Sequence, residues 1–228
     1  MLQPESLSYG RGIRPYLLCA LILSAIMFVG FSKNYYLRAW IGTRPITVMV
    51  HVHGLIMTAW VVLFVTQALL IAVRRTDLHR KLGVGGAILA IVVVALGLYT
   101  ITGSILRQHL DTSIGSFALN FVAFDGLSLL LFGGLVTSAV RLRLRPATHK
   151  RLMLMAMVSL LPPAFGRFVA YFTRAHVYEI VLGLMFTTVA MCIMIDTVRH
   201  RRLHPALVWS GALIVVINVL TLIAQRAD

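Results

Sequence analysis

Of the 228 residues, 59% are hydrophobic and 12% are charged, against roughly 45–50% apolar and about 25% charged in a soluble domain. That balance excludes an ordinary soluble fold, and equally a disordered or collagenous chain. The net charge of +14 does not point to nucleic acid, because the basic residues sit in short loops between apolar runs and form no basic face or aromatic–basic platform. Anionic lipid headgroups are their expected counter-charge.

Seven apolar runs follow one another, at about residues 13–31, 47–73, 82–106, 117–140, 152–172, 177–195 and 206–224. Each approaches the roughly 20 residues that cross a bilayer as helix. They use most of the chain, so residues 1–228 read as a single all-α domain, a polytopic membrane protein of seven transmembrane helices. The first run is apolar enough for a signal peptide. Six more runs follow it and no small-residue cleavage site stands out, so it reads as a retained signal-anchor. Cys19 and Cys192 both lie inside apolar runs and read as reduced packing residues, with no disulfide framework.

Loop charge gives the orientation. The N-terminus and the loops after spans two, four and six carry 14 Lys and Arg, the other side carries 6 (Lys33, Arg38, Arg44, Arg107, Arg174 and Arg226), and Arg167 lies within a span. The positive-inside rule then places the N-terminus in the cytoplasm and the C-terminus outside.

The three cytoplasmic loops share one spacing. Arg75 stands four residues before His79 and seven before Leu82, Arg145 stands likewise before His149 and Leu152, and His200 before His204 and Leu207. Each copy opens the next helix, with Asp77 and Thr148 as candidate N-caps and Pro205 suited to a first helical position. The histidines are expected to finish helix N-termini at the headgroup level. About 25 residues before each loop His stands a polar residue near the outer end of the preceding span: His53, Asp125 and Glu179. The chain therefore reads as one helix followed by three helical hairpins.

Ionisable groups within a bilayer face protein or water rather than lipid, and here they gather in the outer half. His53, Asp125, Arg167 and Glu179 lie there, with His176 just before Glu179 and with Asn120, Tyr99 and Tyr171 at comparable levels. The inner halves carry almost no charge apart from Asp196. The expectation is a polar pocket open to the outside above an apolar inner plug. His53, Trp60 and Gln67 recur every seven residues and share the face taken as inward. His51 is two residues from His53, so about 200° away around a regular helix. Pro162, Pro163 and Gly166 predict a kink beside Arg167. Arg167 is expected either to pair with Asp125, with Glu179 as second choice, or to hold an anionic or carbonyl group of a ligand. Gly83, Gly85, Gly86, Gly133 and Gly134 read as close-packing positions.

The stretch His51-Val-His53-Gly-Leu-Ile-Met-Thr-Ala-Trp60, followed by Gln67 and Asp77-Leu-His79-Arg-Lys-Leu-Gly83, resembles a group of uncharacterised bacterial seven-helix inner-membrane proteins. His149-Lys-Arg-Leu-Met153 and His204-Pro205 fit the same likeness, which covers roughly helices two to seven. It implies a multi-pass protein of the bacterial inner (plasma) membrane and says nothing of activity. More loosely, membrane histidines on this helical plan are similar to those of small b-type cytochromes, which hold haem between His pairs on facing helices. Only His51 and His53 lie well within the membrane here, with His109 and His176 at its outer edge. The two-haem pattern is not met, so that likeness implies at most a single b-type haem.

Three readings stay open from the residues. His53, Asp125 and Glu179, with His51 or His176, would bind a transition metal ion or one haem, although Arg167 puts a positive charge beside such a site. The same groups would relay protons in a small transporter while Arg167 binds an anion. The ion pairs would otherwise only set helix packing in a non-catalytic scaffold or assembly factor. Lipid is the expected partner in all three, and a small-molecule ligand in the second. No nucleophile–base set lies at one depth, so no catalytic residues are assigned.

Overall fold

A computed structural model describes the backbone of residues 6–41, 46–110 and 116–226, and the side chains of residues 15–41, 46–103, 125–223 and 226. All regular structure among the described residues is helical. The elements are α1 (Ser6–Phe31), a π-helical turn (Ser32–Tyr36), a short α2 (Arg38–Ile41), α3 (Val48–Ala72), α4 (Thr76–Leu110), α5 (Ser116–Arg141), α6 (Pro146–Ser159), α7 (Pro162–Val169), α8 (Val177–His200) and α9 (Pro205–Arg226).

Six segments among the described residues are long and apolar enough to cross a membrane: Pro15–Tyr36, Val48–Ala72, Thr76–Gly103, Pro146–Val169, Val177–His200 and Pro205–Ile223. The fourth run of the sequence is helical as α5, but the side chains of residues 116–124 lie outside the described residues. Large apolar side chains such as Ile88, Ile91, Phe186 and Val198 are exposed along the helices. Apolar surface this extensive is not left facing water by a soluble monomer; it suits lipid.

The hairpins pair as the loop lengths require. α3 packs on α4, α5 on α6 and α8 on α9, while α4 also packs on α5, α1 on α3 and α7, and α9 on α5 and α6. The α6–α7 segment is the central one, buried over most of its length. Around it Trp60, Phe132, Leu135, Met155, Met157 and Leu161 form the core of the bundle, with Trp60 meeting Phe132 edge-on at 4.9 Å between ring centroids.

The helix ends have local causes. α3 starts where the Thr47 hydroxyl accepts from Val50 N at 3.4 Å. It ends in a Schellman turn, Arg75 N donating to Leu70 O at 2.8 Å and Arg74 N to Ile71 O at 3.1 Å. Arg74 there has φ 62°, a left-handed position that glycine usually takes. α6 begins at Pro146 with Arg145 as its cap residue, so Thr148 lies inside the helix and is not the N-cap; proline, whose missing N–H costs nothing in the first turn, has taken the start. Asp77 likewise falls within the first turn of α4 and bonds Arg75 at 3.3 Å. α9 starts at Pro205.

The fifth run is two helices rather than one. Pro162 and Pro163 cannot donate backbone hydrogen bonds, so α6 tightens through Leu160 N to Met157 O (3.3 Å) and Leu161 N to Val158 O (3.0 Å), and α7 starts afresh. The glycines divide differently from the sequence expectation. Gly86 and Gly133 face neighbouring side chains, but an added Cβ at Gly83, Gly85 or Gly134 would meet nothing within 4 Å. Backbone meets backbone instead at Gly30, whose Cβ would lie 2.7 Å from Ala164 Cα, where α1 crosses α7.

Candidate functional site

The break between α6 and α7 opens a cavity of about 300 Å³. α1 supplies Met27 and Phe31, and the π-helical turn supplies Asn34, Tyr35 and Tyr36. α3 supplies His53, Met57 and Val61, α4 Gly97 and Thr100, α5 Asp125 and Ser128, and the break itself Ser159, Leu160, Pro163 and Arg167. Asn34, Tyr36 and Val50, which also line it, are exposed, so the cavity reaches the surface at the end of the bundle where α1 turns toward α3. Val61 and Leu129 of its lining belong to the same core as Trp60 and Phe132.

Arg167 is held on this wall by two contacts. One guanidinium nitrogen donates to Pro163 O at 2.9 Å, and the guanidinium carbon lies 4.6 Å from the centroid of the Phe31 ring. The geometry is that of an arginine stacked and tethered through one of its donors, with the rest of the fork left over. Asp125 faces the same cavity from α5. Its Oδ1 is buried without a hydrogen-bond partner, as is Nδ1 of His53. The expected Arg167–Asp125 salt bridge is not formed. Arg167 spends its contacts on the Pro163 carbonyl one turn back in α7 and on the Phe31 ring, and both charges line the cavity.

The other expected site residues fall elsewhere. Glu179 accepts from Arg226 at 3.0 Å and lies 3.9 Å from His176, an exposed pairing at the start of α8 away from the cavity wall. His51 is exposed on α3, its carbonyl accepting from the Tyr35 hydroxyl at 3.2 Å. Tyr171 donates to Gly30 O at 3.2 Å and lies beneath Lys33, 4.3 Å from the ring centroid. Tyr99 is an exposed residue of α4. The side chains of Asn120 and His109 lie outside the described residues. Among the described residues no three His, Cys, Asp or Glu converge on one point.

A second polar cluster, at the basic end of the bundle, is absent from the sequence expectation. Arg151 and Asp196 are 3% and 4% exposed and pair at 2.8 Å. Asp196 also accepts a short hydrogen bond from Tyr16, and His200 Nδ1 lies 3.2 Å from it. Arg151 donates to Ala147 O at 2.7 Å, and Lys150 lies over the Tyr16 ring at 4.4 Å. The cluster ties α1, α6 and α8 together. Burial, then the Arg151 charge, hold the nearby His204 below the usual imidazole range. The signal for it was Asp196, the one acid in the inner part of an apolar run. Arg151 was hidden among the loop cations.

The loop histidines also do more than finish helices. His204 does so, its Nδ1 accepting from Ala206 N at 3.2 Å. His149 instead reaches back to Ala139 O on α5 at 2.8 Å. Gln67 on α3 donates to His79 Nδ1 and accepts from Gly83 N at 3.1 Å. The first two copies of the repeat thus staple the second helix of each hairpin to its first, and the His79 and His149 rings meet edge-on at 6.3 Å.

No protein-family model matches the chain, and no curated protein or solved structure compared with it matches either. The functional reading therefore rests on the chain's own residues.

Proposed function

We propose that the chain is a seven-helix protein of the bacterial inner membrane, with its N-terminus in the cytoplasm and its C-terminus outside, whose outer-half cavity binds a small molecule. The observation that carries this is the pair of opposite charges, Arg167 and Asp125, lining one cavity of about 300 Å³ without bonding each other. Holding ionisable groups in a bilayer-depth cavity costs free energy, and such groups mark ligand or ion sites by default. Size and lining, apolar and aromatic with a few convergent polar groups, are those of a small-molecule site. The 14 against 6 distribution of Lys and Arg supports the orientation, which puts the cavity mouth on the outer face.

A metal or haem at this site is the weaker reading. The cavity offers His53 and Asp125 as donors, and Arg167 opposes a cation beside them. Transport through the bundle is also weaker, because the Trp60–Phe132 core closes the inner side.

The test uses protein with Cys19 and Cys192 replaced by Ala and with Ser128→Cys as a reporter on the cavity wall. A membrane-impermeant thiol reagent added outside intact cells modifies Cys at 128 if the cavity opens outward. Folded protein that is modified only from the cytoplasmic side, or not at all, overturns the reading.

A further inference from the structure

We infer that the ligand is a zwitterion, a compact group carrying both a protonated amine and an anionic oxygen. The inference rests on the binding role proposed above and adds the chemical class.

The argument is one of charge balance. A simple anion drawn to Arg167 would enter a cavity that also holds the Asp125 carboxylate. A simple cation drawn to Asp125 would meet the guanidinium. Desolvated charges interact far more strongly than they do in water, so either ion gains one contact and suffers the other. A ligand with both signs neutralises both walls at once, and its own net charge of zero leaves none uncompensated.

Three further features fit the two ends of such a ligand. Arg167 is oriented before any ligand arrives by Pro163 O and the Phe31 ring, which suits planar recognition of a carboxylate or phosphate by its remaining donors. The amine end finds aromatic faces at Tyr35 and Tyr36, which attract ammonium groups. Ser159, the last residue of α6, and Leu160, its C-cap, also line the cavity. They stand at the C-terminal end of α6, the negative end of its dipole, and Pro163 has no N–H to offer the Ser159 carbonyl. A broken helix that presents carbonyls to a cation and a cationic group to an anion is how membrane proteins hold such ligands at depth.

This chemistry has two sources, a soluble zwitterion or the headgroup of an amino-phospholipid. Both are read by protection of the Cys at 128 against the external reagent. Soluble L-leucine and glycerophosphoethanolamine are compared with dimethyl phosphate, an anion alone, and ethanolamine, a cation alone, on protein in phosphatidylglycerol nanodiscs. The same labelling is repeated in phosphatidylethanolamine nanodiscs with nothing added.

The expected result is at least a tenfold slowing of labelling, either by a saturating soluble zwitterion or by the phosphatidylethanolamine bilayer, with less than twofold from dimethyl phosphate or ethanolamine. The first arm identifies a soluble ligand and the second a headgroup. Protection by dimethyl phosphate equal to that by the zwitterions overturns the inference while the binding role stands. Labelling that no arm slows also overturns it. Failure of the Cys to label at all overturns the binding role itself, so the two failures are distinct. These comparisons keep Arg167 and Asp125 in place and need no charge variant to fold.

Discussion

Replacing Arg151 by Met, or Asp196 by Leu, should destabilise the protein severely. The two groups are 3% and 4% exposed and 2.8 Å apart. Arg151→Met leaves the Asp196 carboxylate buried with only Tyr16 and His200 as partners, and removing one side of a buried ion pair costs about 3–5 kcal/mol. Taking about 3 kcal/mol, the unfolding equilibrium constant rises roughly a hundredfold, at about 1.4 kcal/mol per decade. Reversible unfolding in mixed micelles with increasing denaturing detergent, followed by helical circular dichroism, reads this directly. The double variant Arg151→Met/Asp196→Leu removes both charges and should recover most of the loss, keeping a deficit of about 1 kcal/mol for the Tyr16 hydroxyl left without its acceptor. Arg201→Ala, at an exposed loop position, is the control and should change little. Single costs below about 1 kcal/mol, or a double variant as unstable as the sum of the singles, would refute the assignment of this pair as a buried, coupled unit.

Gly30→Ala should lower stability by about 1–3 kcal/mol, because the new methyl meets the Ala164 backbone 2.7 Å away and α1 must move off α7. Gly83→Ala, with nothing within 4 Å, should be neutral or stabilising by up to about 1 kcal/mol through helix propensity; thermal midpoints in one detergent compare the two. Arg74→Gly should raise stability by about 0.5–1 kcal/mol in the same assay, since it relieves a side chain at φ 62° in the Schellman turn. A periplasmic-type reporter fused after Asp228 should be active outside the cell, and a cytoplasmic signal there would reverse the orientation.

The helices were legible because their signals are local. Seven apolar runs and short basic loops are read off composition, and proline marks the starts of α6, α7 and α9. The break at Pro162–Pro163 followed from missing donors alone. What could not be read was which polar groups meet across helices. Arg167 and Asp125 share a depth, which sequence gives, but whether they bond depends on where the α7 carbonyl of Pro163 and the Phe31 ring lie, which sequence does not give. Arg151 looked like any loop cation because only the fold turns it inward to Asp196. The glycines show the same limit. Gly83 and Gly85 have the composition of a packing stripe and face open space, whereas Gly30, an unremarked residue of the first span, sits where two backbones touch.

The most direct test of the account is whether both charges face the one outward cavity. Cys at 128 is labelled from outside with two thiol reagents of equal size, one ending in an ammonium and one in a sulfonate. The rate ratio is then measured in the parent, in Arg167→Gln and in Asp125→Asn. The account predicts that Arg167→Gln shifts the ratio several-fold toward the ammonium reagent and that Asp125→Asn shifts it several-fold the other way. A ratio unchanged by both substitutions, in protein of parental thermal stability, would contradict it.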